Sequence, residues 1–255
     1  MMNIFKKFKI SYYTYLFILI CMLCGYIKNI IIIFSICIFH ELGHILFIKI
    51  FKYEIINIEL LPFGGFTTID KKINTNINKD ILISFGGIIF QLILFIILII
   101  FKNNINIITY KLIYKYNLIL MIFNLIPIIP LDGNNILHLL LEKIFSYKIS
   151  YYLNFYISLL LLILFFIYNY IYKLDNYFII SFLLYKLIMY IKNFKYHKNR
   201  FYLERILYDI EYNKIDNNTK NIESLRKNVL HYFKNDNKYI NEKDMIKEYY
   251  YNKKY

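Results

Sequence analysis

Long uncharged apolar runs, rather than alternating or single-stripe patterns, fill about the first three quarters of this chain. Residues 10–27 carry no charge, and further apolar runs cover approximately 30–50, 81–101, 110–131, 149–172 and 176–194. A helix on a soluble domain is apolar along one stripe, whereas a helix that crosses a bilayer needs about 20 consecutive apolar residues. The pattern predicts an all-α polytopic membrane protein with about six transmembrane helices. Lys111 and Lys115 fall near the start of the fourth run, where long side chains can snorkel to the interface; Lys186, in the sixth, has no explanation in the sequence.

Two segments depart from that pattern. Residues 53–69, YEIINIELLPFGGFTTI, place strand-favouring Ile, Tyr, Phe and Thr around a glycine turn. They predict a small membrane-associated β-hairpin after the second span, with an edge that can add a strand from a partner. Residues 195–255 mix 14 Lys/Arg with 9 Asp/Glu. Phe201, Leu203, Ile206, Leu207 and Ile210 recur at helical spacing there, a second helix is expected over about 219–234, and the final dozen residues are expected to fray. The expected organisation is a six-span domain over 1–194 and a short, basic, helical cytoplasmic tail over 195–255.

Charge orients the spans. Lys6, Lys7 and Lys9, then Lys52, Lys71, Lys72 and Lys79, then Lys143 and Lys148, and finally the tail fall on one side; Lys28, Lys102 and Lys173 fall on the other. Cytoplasmic loops carry the basic excess, so both termini are expected inside. The net charge of +14 is then accounted for by that topology and by anionic lipid at the inner leaflet, which leaves the lipid bilayer, and no nucleic acid, as the expected partner. The basic start followed by an apolar run resembles a signal peptide but lacks a small-residue cleavage site, so an uncleaved first span is expected.

Composition matters mainly through its rare residues. The chain is 59% hydrophobic, with no alanine and a single valine. Nine of its ten glycines and prolines sit in four places: Gly43; Pro62, Gly64 and Gly65; Gly86 and Gly87; Pro127, Pro130 and Gly133. Such clustering marks special backbone geometry. Cys21, Cys24 and Cys37 lie in apolar runs without a second pair and read as buried free thiols.

The chemistry lies in the most apolar surroundings. Residues 38–47, IFHELGHILF, place His40 and His44 one helical turn apart with Glu41 beside them. On a helix both imidazoles can face one metal, with the carboxylate close enough to act on its water. The plain alternative is a hydrogen-bonded helix-packing set. Catalytic zinc takes three protein ligands, and Asp132, between two prolines and a glycine in NLIPIIPLDGNN, is the only acidic residue between Asp80 and Glu142. Its alternative is an N-cap at a membrane-exit turn. His138 reads as a supporting or structural residue rather than a ligand.

HELGH in an early span and NLIPIIPLDG in a later one resemble the site-2 protease family of intramembrane zinc metalloproteases. The resemblance covers about residues 1–194 and is strongest to the bacterial branch that processes a precursor sigma factor in sporulation. It implies one Zn²⁺ held by His40, His44 and Asp132, with Glu41 as the catalytic base. It also implies Asn124 as a substrate or oxyanion contact, and Gly64 and Gly65 in a hairpin beside the site. The sequence departs from the family pattern at Gly87, Gln91 and Asn134. The function implied is endopeptidase cleavage of a membrane-tethered protein substrate in the bacterial cytoplasmic or forespore membrane, with inhibitory membrane proteins as further partners. The alternative class is a non-catalytic membrane scaffold or a metal or proton transporter, which would spread ionisable residues over several spans.

Overall fold

The computed structural model describes residues 8–61, 64–172, 176–219, 221–235 and 238–252. Pro62 of the predicted turn, and Lys6, Lys7 and Lys173 of the charge count, lie outside the described residues. The chain divides into two compact units, each discontinuous in sequence: Met1–Lys71 with Leu82–Leu125, and Lys72–Ile81 with Ile126–Tyr255.

The first unit holds strand β1 (Phe8–Ile10), helices α1 (Tyr12–Leu23) and α2 (Ile27–Ile50), strands β2 (Glu54–Leu61) and β3 (Gly64–Asp70), most of helix α3 (Ile77–Ile100), and helix α4 (Ile107–Leu125). The Ser11 hydroxyl accepts the Thr14 amide at 3.2 Å and so caps α1. Gly25, at φ +80°, follows its end in a conformation that costs glycine little. Strands β2 and β3 pair antiparallel from Glu54↔Asp70 to Leu61↔Gly64, and β1 joins β2 in parallel. The order β1-β2-β3 leaves β3 at an edge of the sheet. The sheet is anchored by Ile45 and Ile48 of α2, Ile55 and Ile58 of β2, and Ile83 of α3, which are buried together. Helix α4 stops at Leu125 because Pro127 follows, and the residue before a proline is held out of helical conformation.

The second unit holds residues 72–81, helices α5 (Asp132–Ile144), α6 (Tyr147–Ile171), α7 (Tyr177–Lys192), α8 (Phe194–Leu207) and α9 (Glu242–Asn252), and strands β4 (Lys214–Thr219), β5 (Val229–Asn235) and β6 (Lys238–Asn241). Ile128 and Ile129 are buried with Leu162, Leu183 and Leu187. A separate core gathers Tyr147, Phe201, Tyr202, Leu225, Phe233 and Ile246, with Tyr147 and Phe201 stacked at 4.2 Å between ring centroids. Residues 73–80 are gripped by the C-terminal part of the chain. Glu204 accepts from the Ile73 and Asn74 amides at 2.6 and 3.0 Å, and Arg205 donates to the Asn74 side chain at 3.1 Å. Lys227 lies 3.2 Å from both Asp80 and Glu142.

Among the described residues three helices, α2, α3 and α6, are long and apolar enough to cross a membrane; α7 and α8, bent by 48° at their junction, make a fourth if the pair is one span. Helices occupy all six predicted runs, but α1 has 12 residues and α7 has 16. The burial pattern is inside-out, as expected for helices in an apolar solvent. In α6 the polar Ser150, Asn154, Ser158 and Asn169 are buried while Leu160 and Ile163 are exposed.

The all-helical tail is corrected. Helix α8 covers the first predicted tail helix, but 214–241 forms a three-stranded sheet of order β4-β5-β6, and β5 takes the place of the helix expected over 219–234. The central strand pairs in parallel with β4 and antiparallel with β6. Its sequence, VLHYFKN, buries His231 and Phe233 at a spacing of two, and that strand period outweighs the weaker helical one. Of the final dozen residues, expected to fray, 244–252 lie in α9, whose Ile246 enters the core, and 253–255 lie outside the described residues.

Candidate metal centre

Helix α2 turns its polar residues inward. His40, Glu41, Gly43 and His44 are buried, while Leu42 and Leu46 are exposed. His44 Nδ1 lies 2.7 Å from the Ile83 carbonyl oxygen. A carbonyl only accepts, so Nδ1 carries the proton and Nε2 of the neutral ring keeps its lone pair. That Nε2 is 3.1 Å from His40 Nε2, and the two rings meet edge to face. Two imidazole nitrogens on one tetrahedral zinc, at bond lengths of about 2.0–2.1 Å, stand about 3.3 Å apart. The pair therefore has the donor atoms and spacing of two zinc ligands, and His44 has the tautomer one needs.

Close backbone approach makes room for this set. A Cβ on Gly43 would stand 2.2 Å from the Gly86 carbonyl oxygen, so α2 and α3 touch through their backbones. A Cβ on Gly87 would stand 2.2 Å from His40 Cε1, and one on Gly65 would stand 2.2 Å from Glu41 Cγ. The glycine clusters of the sequence thus wall two of the three candidate side chains. The Thr67 hydroxyl, one pleat along β3 from Gly65, donates to Glu41 Oε2 at 2.8 Å. Sequence reasoning missed Thr67 and the Ile83 carbonyl, because neither residue type marks itself in an isoleucine- and threonine-bearing segment.

His40, Glu41, His44 and Gly65 are brought together in the first unit. Gly64 adjoins them with φ +150°, and a Cβ there would meet nothing within 4 Å. Asn124, in the last turn of α4, is half-buried and makes none of the side-chain hydrogen bonds of that set. Asp132 belongs to the second unit as the first residue of α5. The N-cap of α5 is Leu131, so Asp132 stands one position inside the helix rather than capping it, where the free amides of the first turn favour a carboxylate. Asn134 accepts from Ser158 at 3.0 Å, and His138 lies 3.4 Å from Glu142, consistent with a structural place for both.

The family model for peptidase family M50 matches residues 28–106 and 102–167. Stage IV sporulation protein FB of Bacillus subtilis is 29% identical over 144 residues, which cover 53% of this chain and 48% of that protein. A zinc metalloprotease of Methanocaldococcus jannaschii is 38% identical over 124 residues, 46% of this chain and 35% of that protein. The chain thus spans half or less of the length of these curated relatives. A solved site-2 protease from Methanocaldococcus jannaschii shares the fold, with a TM-score of 0.57 and 24% identity over 71% of this chain and 89% of that one. Because the matched residues make up more than half of the sequence, the chain belongs to peptidase family M50, the site-2 protease family.

Proposed function

We propose that this membrane protein is an intramembrane zinc metalloendopeptidase of six spans that cleaves a membrane-tethered protein. The observation that carries the reading is the pair of buried imidazole nitrogens 3.1 Å apart on α2, with a buried carboxylate beside them. His40 and His44 would hold one Zn²⁺, with Asp132 as third ligand. The NLIPIIPLDG sequence and the family support Asp132, the first residue of α5. A zinc ion bound there would supply Lewis acidity, making water more acidic and polarising a carbonyl.

The remaining work falls to the chain's own groups. Glu41 takes a proton from the attacking water and delivers it to the leaving amine. Of its two oxygens Oε2 is engaged by Thr67, which leaves Oε1, beside Gly65, for the proton. A transmembrane substrate hides its amides in its own helix and must be held extended for cleavage. Strand β3 lies at the edge of its sheet and its residues contact Glu41, so its free side suits a substrate strand. Asn124 and Gly64 remain candidate substrate contacts. The family resemblance supports a sporulation sigma-factor precursor as substrate, the cytoplasmic or forespore membrane as location and inhibitory membrane proteins as partners, and the basic excess on one side of the spans supports cytoplasmic termini.

The test is cleavage of a co-reconstituted, membrane-tethered candidate precursor together with zinc analysis. Glu41→Gln should abolish cleavage while zinc stays bound, and Asp132→Asn should lower zinc content. Cleavage at the wild-type rate by Glu41→Gln would overturn the protease reading, and unchanged zinc in Asp132→Asn would remove that residue from the ligand set.

A further inference from the structure

We infer that Thr67 is a positioning residue for catalysis: its hydroxyl fixes the orientation of the Glu41 carboxylate, so the strand proposed to hold the substrate also aims the base. This inference rests on the protease reading above. Among the described residues the Thr67 hydroxyl, at 2.8 Å from Oε2, makes the side-chain hydrogen bond to Glu41, and no cation pairs with that carboxylate. A buried carboxylate with one fixed acceptor oxygen has a defined rotamer; without it, the side chain can turn about its outer bonds, and Gly65 presents no Cβ to stop it.

The choice of residue at position 67 is informative. Along β3, Gly65, Thr67 and Ile69 share one face, since side chains alternate with a period of two. Gly65 and Thr67 meet Glu41, whereas Ile69 packs on the cluster of Ile45, Ile48, Ile55, Ile58 and Ile83. An apolar β-branched residue would suit that surface and strand equally well. Threonine has nearly the shape of valine but adds a donor, and the donor is aimed at the base. A hydrogen bond to a charged group in a buried setting is among the stronger single interactions a side chain makes.

Three variants, assayed as the full-length protein in proteoliposomes with kinetics normalised to folded, zinc-loaded molecules, test the assignment. Thr67→Val should lower kcat about 10- to 100-fold, with KM and zinc stoichiometry within about twofold of wild type, and Thr67→Ser should restore kcat. A second readout does not depend on turnover. In zinc-stripped protein, the infrared carboxylate bands isolated by subtracting the Glu41→Gln spectrum should shift in Thr67→Val and stay in place in Thr67→Ser. Wild-type kcat in Thr67→Val, or unshifted bands, would overturn the assignment while leaving the protease reading intact. A lower yield of folded protein with normal kcat would show a purely structural role and overturn it too. Cleavage by Glu41→Gln would instead sink the protease reading itself.

Discussion

In the second unit both buried cations face carboxylates, whereas in the first Glu41 is buried beside a hydroxyl and no cation among the described residues. Arg205 lies 2.7 Å from Glu242, both fully buried, and donates further to the Val229 and Arg226 carbonyls. Lys227 is shared between Asp80 and Glu142. Burial alone would push the Glu142 carboxyl up, but the charges of Lys227 and His138 outweigh it and hold the group down at about 2. Those charges are consumed by one another and serve to hold residues 73–80 in place. Glu41 is met instead by the Thr67 hydroxyl, which holds one carboxylate oxygen without supplying a counter-charge. The contrast separates buried charge that is paired with a counter-charge from buried charge that is met only by a hydroxyl.

The largest effect should come from breaking the architectural set. Lys227→Met leaves two buried carboxylates without their cation and should destabilise the protein by about 3–5 kcal/mol in denaturant unfolding. Neutralising all three positions, with Asp80→Asn and Glu142→Gln added, should recover most of that loss; equal damage in single and triple variants would break the comparison. Next in size is the wall of the site. Gly87→Ala places a Cβ against the His40 ring and should weaken zinc binding about 10- to 100-fold in chelator competition, with little change in unfolding.

A smaller change is set by acid. Burial first, and then the Arg205 charge, push the His231 imidazole down to about 4 from 6.5. The ring folds neutral, donating from Nδ1 to Thr219 and accepting the Arg226 amide at Nε2. The unfolded chain therefore binds more protons between those values, so stability should fall as pH drops from about 6.5 to 4. Glu142 has the same sign in a lower window: its contribution is present above about 4.5 and is lost as pH falls toward 2. Thermal unfolding of His231→Gln should lose the first decline and keep the second. The smallest effect belongs to the surface: Glu223, half exposed between Lys148 and Lys198, should change stability by no more than about 0.5 kcal/mol when made Gln.

Much of the candidate site was legible before any fold. His40, Glu41 and His44 stand out because polar side chains in an apolar run are costly, and their helical spacing already puts them on one face. The glycine clusters were legible as special backbone, although what they admit was not: that Gly87 faces His40 and Gly65 faces Glu41 depends on which segments meet. The tail was misread because short charged segments carry weak periodicity, and β5 becomes a strand only when β4 and β6 flank it.

The sequence by itself determined the apolar helices, the histidine–glutamate set and the hairpin, since each follows from local spacing and the cost of burying polar groups. Tertiary structure alone decided that the Ile83 carbonyl selects the His44 tautomer, that Thr67 reaches Glu41, and that Lys227 meets Asp80 across a separation of 147 residues. Such pairings depend on through-space distance, which no local pattern in the chain encodes.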